Sequence, residues 1–408
     1  MVLYTVLAFE AHQPYRIKSN IDLYVSDLED ILDRELDNLV LDRVAENCYK
    51  PALRTLRESL LKARELSGSE DYSFAMSMSG TLVEQLETRR PEVLDEIRSL
   101  VSLGLLEVMA EPYYHSLSSE IDREEFMYQL EFSRDIIRSK LNFEPVGAVN
   151  TELIYRDEIG CWISEKKFRY TIVEGLERVF ERDPNYLYSA SCNLQILARH
   201  YRLSDDIGFR FLDRSWDQYP LTADKFAEWI YRSPGDLVVI YLDFETFGEH
   251  FSKESGILDF LAYLPIELSK RGVKMIKPSQ AIELFKSRGL VEIRETISWA
   301  DMSKDLTAWL GNEFQVTAFN LYRELKQRIF RSGDEKIINI WRILGEADHY
   351  HYMYYKPGPD FLVHDHFSHH ESPRKAFENY VKALIILYGA TERKSYLHEV
   401  RRGRRRLK

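Results

Sequence analysis

Seven short stretches of the chain are dominated by apolar residues: 3–9, 74–78, 105–110, 145–149, 168–173, 237–242 and 273–276. The cleanest, Leu237 to Tyr241, has nothing polar inside. Such a run suits a strand covered on both faces, as strands of parallel sheets are. Between the runs the spacing turns helical. After Pro51, at a helix start, Leu53, Leu56, Leu60 and Leu61 fall on one face. Segments 91–101, 124–141, 162–167, 226–231 and 255–270 also read as helices, and Thr81 with Glu84 reads as a capping box. Strand and helix alternating in this way predict a parallel α/β barrel with right-handed crossovers.

One stretch breaks the rhythm. Residues 183–225, with Pro184, Asn185 and Gly208, read as an irregular insertion, and loops that long are often functional. Beyond 279 the strand runs fade, and 280–288, 302–310, 313–330, 336–344 and 373–387 read as helices. The expected division is a seven-stranded, incomplete (β/α)7 barrel over 1–280, a helical domain over 281–395 and a disordered basic tail over 396–408.

Parallel barrels carry their chemistry where strands end and loops begin. Here the runs end at His12, at Gly80 with Glu84, at His115, at Glu152, at Glu174, and at Asp243 with Glu245. The set is rich in carboxylates and imidazoles and has no evident Ser or Cys nucleophile. It suits acid/base work on a glycosidic bond, which needs two carboxyl groups flanking the bond. One must be ionised; the other must hold a proton near neutral pH, through burial or a like-charged neighbour.

Composition narrows the partners. The net charge of −11 argues against a nucleic-acid surface. The exception is the tail 401–408, RRGRRRLK, and runs of like charge are usually solvated. No run approaches the roughly 18 apolar residues of a membrane span, and the N-terminus carries no signal-peptide pattern. The three cysteines, Cys48, Cys161 and Cys192, have neither metal-ligand spacing nor an even count, so a reducing cytoplasm is expected. Aromatics make up 13% of the chain, which suits stacking on sugars as well as core packing. His364, His366, His369 and His370 form a dense imidazole cluster. Tracts of that kind can bind a metal, but a loop is the simpler reading.

The ordered motifs resemble those of glycoside hydrolase family 57, the α-amylase and 4-α-glucanotransferase family. They are His12-Gln13-Pro14, Ser79-Gly80-Thr81-Leu82 with Glu84, 150–155 (NTELIY), 243–250 (DFETFGEH) and 346–353 (EADHYHYM). The resemblance runs over nearly the whole chain. It implies the (β/α)7 barrel and a helical domain that completes the active site. It also implies a retaining mechanism, with Glu152 as nucleophile and Asp243 as acid/base. Residues expected to touch substrate are His12, Glu84, His115, Trp216, Glu245, Trp299, Asp348 and His349. Gly345-Glu346-Ala347 departs from the Gln and small polar residues usual in α-amylase-like members. The partner implied is an α-1,4-glucan, with no metal, cofactor, nucleic acid or membrane. Three alternatives stay open: a 4-α-glucanotransferase, a glucan-binding protein without turnover, and a metal-dependent polysaccharide deacetylase. A branching enzyme is disfavoured because such relatives tend to be longer.

Overall fold

The computed structural model describes residues 1–180, 184–356 and 368–406, with side chains as far as 392. The described chain divides into two compact units. One holds 1–13, 38–113 and 123–299; the other holds 14–37, 114–122 and 300–408. The division is therefore not one cut near 280. Two loops that follow barrel strands belong to the second unit.

The first unit is built on β1 (Tyr4–Ala11), β2 (Phe74–Met78), β3 (Leu106–Met109), β4 (Tyr170–Glu174), β5 (Leu187–Ser189), β6 (Gln195–Arg199), β7 (Val238–Asp243) and β8 (Lys274–Met275). Parallel pairing runs β3-β2-β1-β7-β6-β4. The pair Gly147 and Ala148 closes the ring by bridging to Tyr170 on one side and Ala110 on the other. Ala148 N donates to Tyr170 O at 3.1 Å, and Val149 N to Ala110 O at 2.9 Å. Gly147 is required there, because a Cβ would lie 2.1 Å from the Tyr170 ring. With β1, β2, β3, β4, β6 and β7, this pair makes seven parallel strands.

The count of seven matches the sequence reading, but its membership differs. The expected strand at 273–276 is only β8, two residues paired with Tyr4 and Thr5 at the start of β1. The missing member is β6, from the stretch expected to be irregular. That stretch also holds β5, antiparallel to β6, and the helix Tyr201–Gly208. QILAR is polar at both ends, so it reads weakly as a buried strand.

The β6–β7 joint is unusual. Its ladder has one paired position, Arg199 with Val239, and side chains supply the rest. Tyr241 N donates to Ser204 Oγ at 3.2 Å, and Arg199 Nε donates to Tyr241 O at 2.7 Å. Inside the ring, Val6, Ala8, Ala75, Met109, Val149, Tyr170, Ile172, Leu197, Val239 and Tyr241 form the core. Glu107 on β3 is one of the buried acids in this wall. It accepts from the Tyr170 hydroxyl and Ser279 Oγ, each at 2.5 Å. With Ser279 N donating at 3.2 Å as well, three donors make its burial tolerable.

The helix Lys50–Ser67 buries Ala52, Leu53, Leu56, Leu60 and Ala63; Leu61, expected on that face, is exposed. The helix Gly80–Arg89 is capped by Ser79, whose Oγ accepts from Leu82 N. The cap is thus two residues earlier than the Thr81–Glu84 box expected. Cys161 and Cys192 are disulfide-bonded, joining the helix Asp157–Glu165 to the turn before β6. The unpaired, reduced cysteines expected from the sequence are therefore corrected at two of three positions.

In the second unit, the helices Glu313–Arg331, Glu335–Ile343 and Pro373–Arg406 pack on one another. Asn312 and Gln315 form a capping box, and Asp334 caps the next helix. Trp341 stacks flat on Tyr322 at 4.6 Å. The last helix runs through most of the tail that was expected to be disordered. His364 and His366 lie outside the described residues. Among the described residues, no helix is long and apolar enough to cross a membrane.

Candidate active site

Strand register sets one rim of the first unit. Asp243, the last residue of β7, pairs with Glu10 of β1, and Glu10 pairs with Ser77 of β2. These three positions are level across the sheet, so the loops after them start together. Below the loops, the Tyr241 hydroxyl donates to Glu10 Oε2 at 2.8 Å and lies 2.9 Å from Ser77 Oγ. His12 follows β1 and puts Nδ1 2.7 Å from Ser79 Oγ. Glu84, one turn into the helix Gly80–Arg89, is half-buried.

Glu152 sits on a short turn after Ala148. Its φ is 57° and that of Leu153 is 52°. Two successive non-glycine residues in the left-handed region are uncommon; each costs about 1–3 kcal/mol, and such residues gather at functional sites. What holds the turn is visible. Asn150 Nδ2 donates to Ile154 O at 2.9 Å. Trp299 N donates to Glu152 O at 3.3 Å, and Trp299 Nε1 donates to Glu152 Oε2. Trp299 in turn packs on the Tyr241 ring at 5.3 Å, with the Arg199 guanidinium over its own ring at 5.5 Å. Arg199 is buried and bonded to Glu174 at 2.9 Å and Asp205 at 2.6 Å. A chain of contacts thus runs from a buried ion pair to the Glu152 carboxylate.

After Asp243 the chain makes a 3₁₀ turn, Phe244–Thr246, that buries Glu245. The Tyr49 hydroxyl donates to Glu245 Oε1 at 2.5 Å. Burial pushes the Glu245 carboxyl up to about 8. The Tyr49 hydrogen bond pulls it down, and the charge of Asp243 adds to the rise.

Of the residues expected to touch substrate, the first unit holds His12, Glu84, Glu245, Trp299 and Trp216. Trp216 lies on the irregular segment after the helix Tyr201–Gly208. It packs edge-on against Trp229 of the helix Ala223–Arg232 at 5.9 Å and beneath Arg210 at 5.8 Å. His115, Asp348 and His349 belong to the second unit. The His115 carbonyl accepts from Ala347 N at 2.9 Å. His349 is buried, which holds its imidazole down to about 4, while Asp348 pulls it up. Near it, Glu346 Oε2 accepts from Tyr15 N at 2.8 Å, and burial holds the Glu346 carboxyl well above the usual carboxylate range.

Sequence reasoning missed Tyr49, Arg199 and Asp205. Arg199 was hidden because its strand was. Tyr49 lies in a π-helical turn, Ala45–Tyr49, which interrupts the 3.6-residue spacing that would have marked its face.

Comparison with known proteins gives this geometry a family. The sequence model described as Glycosyl hydrolase family 57 matches residues 6–294. A Methanocaldococcus jannaschii protein, whose α-amylase name is provisional, is 38% identical over 93% of this chain and 82% of its own length. The α-amylase of Pyrococcus furiosus is 29% identical over 65% of this chain, which spans only 39% of that longer protein. Among solved structures, the GH57-type branching enzyme of Pyrococcus horikoshii superposes with a TM-score of 0.70 at 15% identity, covering 98% of this chain and 96% of that one. The 4-α-glucanotransferase of Thermococcus litoralis gives 0.63 at 17% identity, over 94% of this chain and 59% of that one. These two likenesses establish the fold. The near-equal span of the branching enzyme removes the length argument raised against that class. With the family pattern running over 6–294 and a 38% identical relative aligned across most of both chains, this protein belongs to glycosyl hydrolase family 57.

Proposed function

We propose that the protein cleaves α-1,4-glucans with retention of configuration, using Glu152 as nucleophile and Asp243 as acid/base. The observation that carries this reading is the way Glu152 is held: a costly left-handed turn, a donor on its carboxylate and a buried ion pair behind the donor. A loop acid of no consequence would not need such support. In the first step Glu152 bonds to the anomeric carbon as the C1–O bond breaks. Asp243 gives its proton to the departing oxygen. In the second step Asp243 takes a proton from water, whose oxygen displaces Glu152. His12, Glu84, Glu245 and Trp299 are proposed to line the sugar site.

A transferase reading shares the first step and lets a sugar hydroxyl replace water. It is favoured by a specific observation: the 4-α-glucanotransferase of Thermococcus kodakarensis is 28% identical, close to the 29% of the Pyrococcus furiosus α-amylase. Incubation with maltoheptaose separates the two. Shorter sugars alone mean hydrolysis; a ladder of shorter and longer sugars means transfer. Glu152→Ala should abolish either pattern, and an unchanged product pattern would remove Glu152 from the mechanism. The cytoplasm remains the proposed compartment. The Cys161–Cys192 bond fits it where intracellular proteins keep disulfides, as in hyperthermophilic archaea. Thiol titration of protein taken directly from its host cells tests this.

A further inference from the structure

The main chain delivers Trp299 to Glu152. The segment 293–299 lies antiparallel beside 152–157 and is clipped to it along its length. Asp157 N donates to Ile293 O at 2.8 Å, and Ile293 N donates back to Asp157 Oδ2 at 2.9 Å. Tyr155 N donates to Ile297 O at 2.8 Å, and Ile297 N to Tyr155 O at 2.9 Å. Trp299 N then reaches Glu152 O at 3.3 Å. This pairing fixes the level of the indole against the acid. Packing fixes its direction: the Tyr241 ring lies at 5.3 Å, and the Arg199 guanidinium stands over the indole face at 5.5 Å. Tyr241 and Arg199 are themselves buried. The indole edge is thus turned to the carboxylate, and Nε1 donates to Glu152 Oε2.

An indole N–H can only donate. It therefore favours one charge state of its acceptor, because a hydrogen bond to an ionised carboxylate is stronger than one to a neutral carbonyl. In a retaining cycle the nucleophile passes from carboxylate to ester and back. The first step removes its charge and the second restores it. A donor fixed on one oxygen therefore assists the second step and not the first.

We propose that Trp299 is a catalytic residue of the second step: its N–H stays on Glu152 Oε2 and stabilises the carboxylate as it leaves the anomeric carbon. The inference rests on the assignment of Glu152 as nucleophile. In the first step the other oxygen of Glu152 supplies the electron pair that bonds to C1, and Asp243 protonates the departing oxygen. Oε2 becomes the carbonyl oxygen of the glycosyl ester. In the second step water bonds to C1, Asp243 takes its proton, and the pair of the breaking C1–O bond returns to Glu152. The charge that reappears spreads onto Oε2, where the indole N–H meets it. Arg199 is a positioning residue here, since it acts through the indole.

Trp299→Phe keeps an aromatic ring and removes the N–H, and thermal melts report whether it folds. The probe is α-maltosyl fluoride, whose leaving group departs without a proton, so the first step stays fast. We expect kcat to fall about 10- to 100-fold, the worth of a hydrogen bond to a charged group. kcat/KM, which reports the first step, should hold, so KM falls with kcat. Fluoride should appear in a burst, and the variant should accumulate a covalent maltosyl adduct on intact mass. A split between kcat and kcat/KM smaller than about tenfold would overturn the proposal, because a structural role slows both steps and a grip on sugar alone raises KM. A second measurement needs no Trp299 variant. Of the six tryptophan indole N–H resonances, the one moved upfield by Glu152→Gln should move upfield again when wild type is trapped with 5-fluoro-α-D-glucosyl fluoride. Both changes remove the charge from the acceptor. An indole resonance that fails to move in either case would overturn the proposal. A trapped sugar that peptide mapping places on a residue other than Glu152 would instead remove the nucleophile assignment, and this inference with it.

Discussion

The two units bury charge in different ways. In the barrel unit, buried groups are met by partners. Arg199 has two carboxylates and a carbonyl, Glu107 has two hydroxyl donors, and Glu245 has Tyr49. In the helical unit, several buried groups stay uncharged instead. His349 is held down to about 4 and His370 to about 3, chiefly by burial. Glu346 is held up, and its Oε1 has no hydrogen-bond partner among the described residues. The Arg16–Asp37 pair is the exception there, and burial still pushes Asp37 up to about 6 against that arginine. The contrast teaches that the barrel unit spends its polar contacts on meeting its buried polar groups, and at Arg199 on holding a charge in place. The helical unit keeps ion pairs such as Lys336–Asp27 toward its surface and leaves His349 and His370 neutral inside.

The sharpest break in this comparison should come from Glu152→Ala. Turnover of maltoheptaose is expected to drop on the order of 10⁴-fold or more, with the melting temperature unchanged or raised. A parallel collapse of folding would mean that the turn supports the barrel and not the chemistry. The helical counterpart is Trp341→Ala. Removing this buried ring and its stack on Tyr322 should destabilise by about 3–5 kcal/mol, seen as a loss of thermal stability with KM unaltered in whatever protein remains folded.

Next in size is the Cys161–Cys192 bond, which closes a separation of 31 residues. Cys161→Ser with Cys192→Ser should cost roughly 3–4 kcal/mol in the chain-entropy account, measured by denaturant unfolding. The free thiol of Cys48 is buried and should stay silent to a thiol reagent until the protein unfolds.

The smallest effects sharpen the comparison most. Glu245 has a raised value, so its contribution to stability is full below the unfolded carboxylate value of 4.5. It is lost as pH rises through about 8. His349 and His370 have depressed values. Their contribution is present above 6.5 and lost as pH falls through about 4 and about 3. Glu245→Gln should therefore gain about 1–3 kcal/mol at pH 9 and little at pH 5. His370→Leu should gain a similar amount at pH 4 and little at pH 8. Melting temperature against pH reads both, and parallel profiles would erase the distinction between the units.

Much of this was legible in the residues. Apolar runs gave six of the strand positions, and their ends located Asp243, Glu245, Glu152 and His12. What escaped has physical reasons. A strand of two residues such as Gly147-Ala148 has too little length for a pattern, although the run 145–149 marked its place. β6 carries Gln195 and Arg199 at its ends, because one meets solvent and the other closes a joint. The π turn shifts helical spacing by one residue, so Tyr49 looked like one aromatic among many. The disulfide joins cysteines that no spacing rule pairs.

The β6–β7 joint has one more consequence. A backbone ladder accepts almost any side chain, so its sequence is free to drift. At this joint the closure rests on Arg199 and Ser204, and Arg199 also carries Glu174, Asp205 and the face of Trp299. Neither residue can change alone without opening the wall or loosening the tryptophan that touches Glu152. Divergence at this seam must therefore proceed by coordinated replacement, and a designer recombining barrel halves should cut elsewhere.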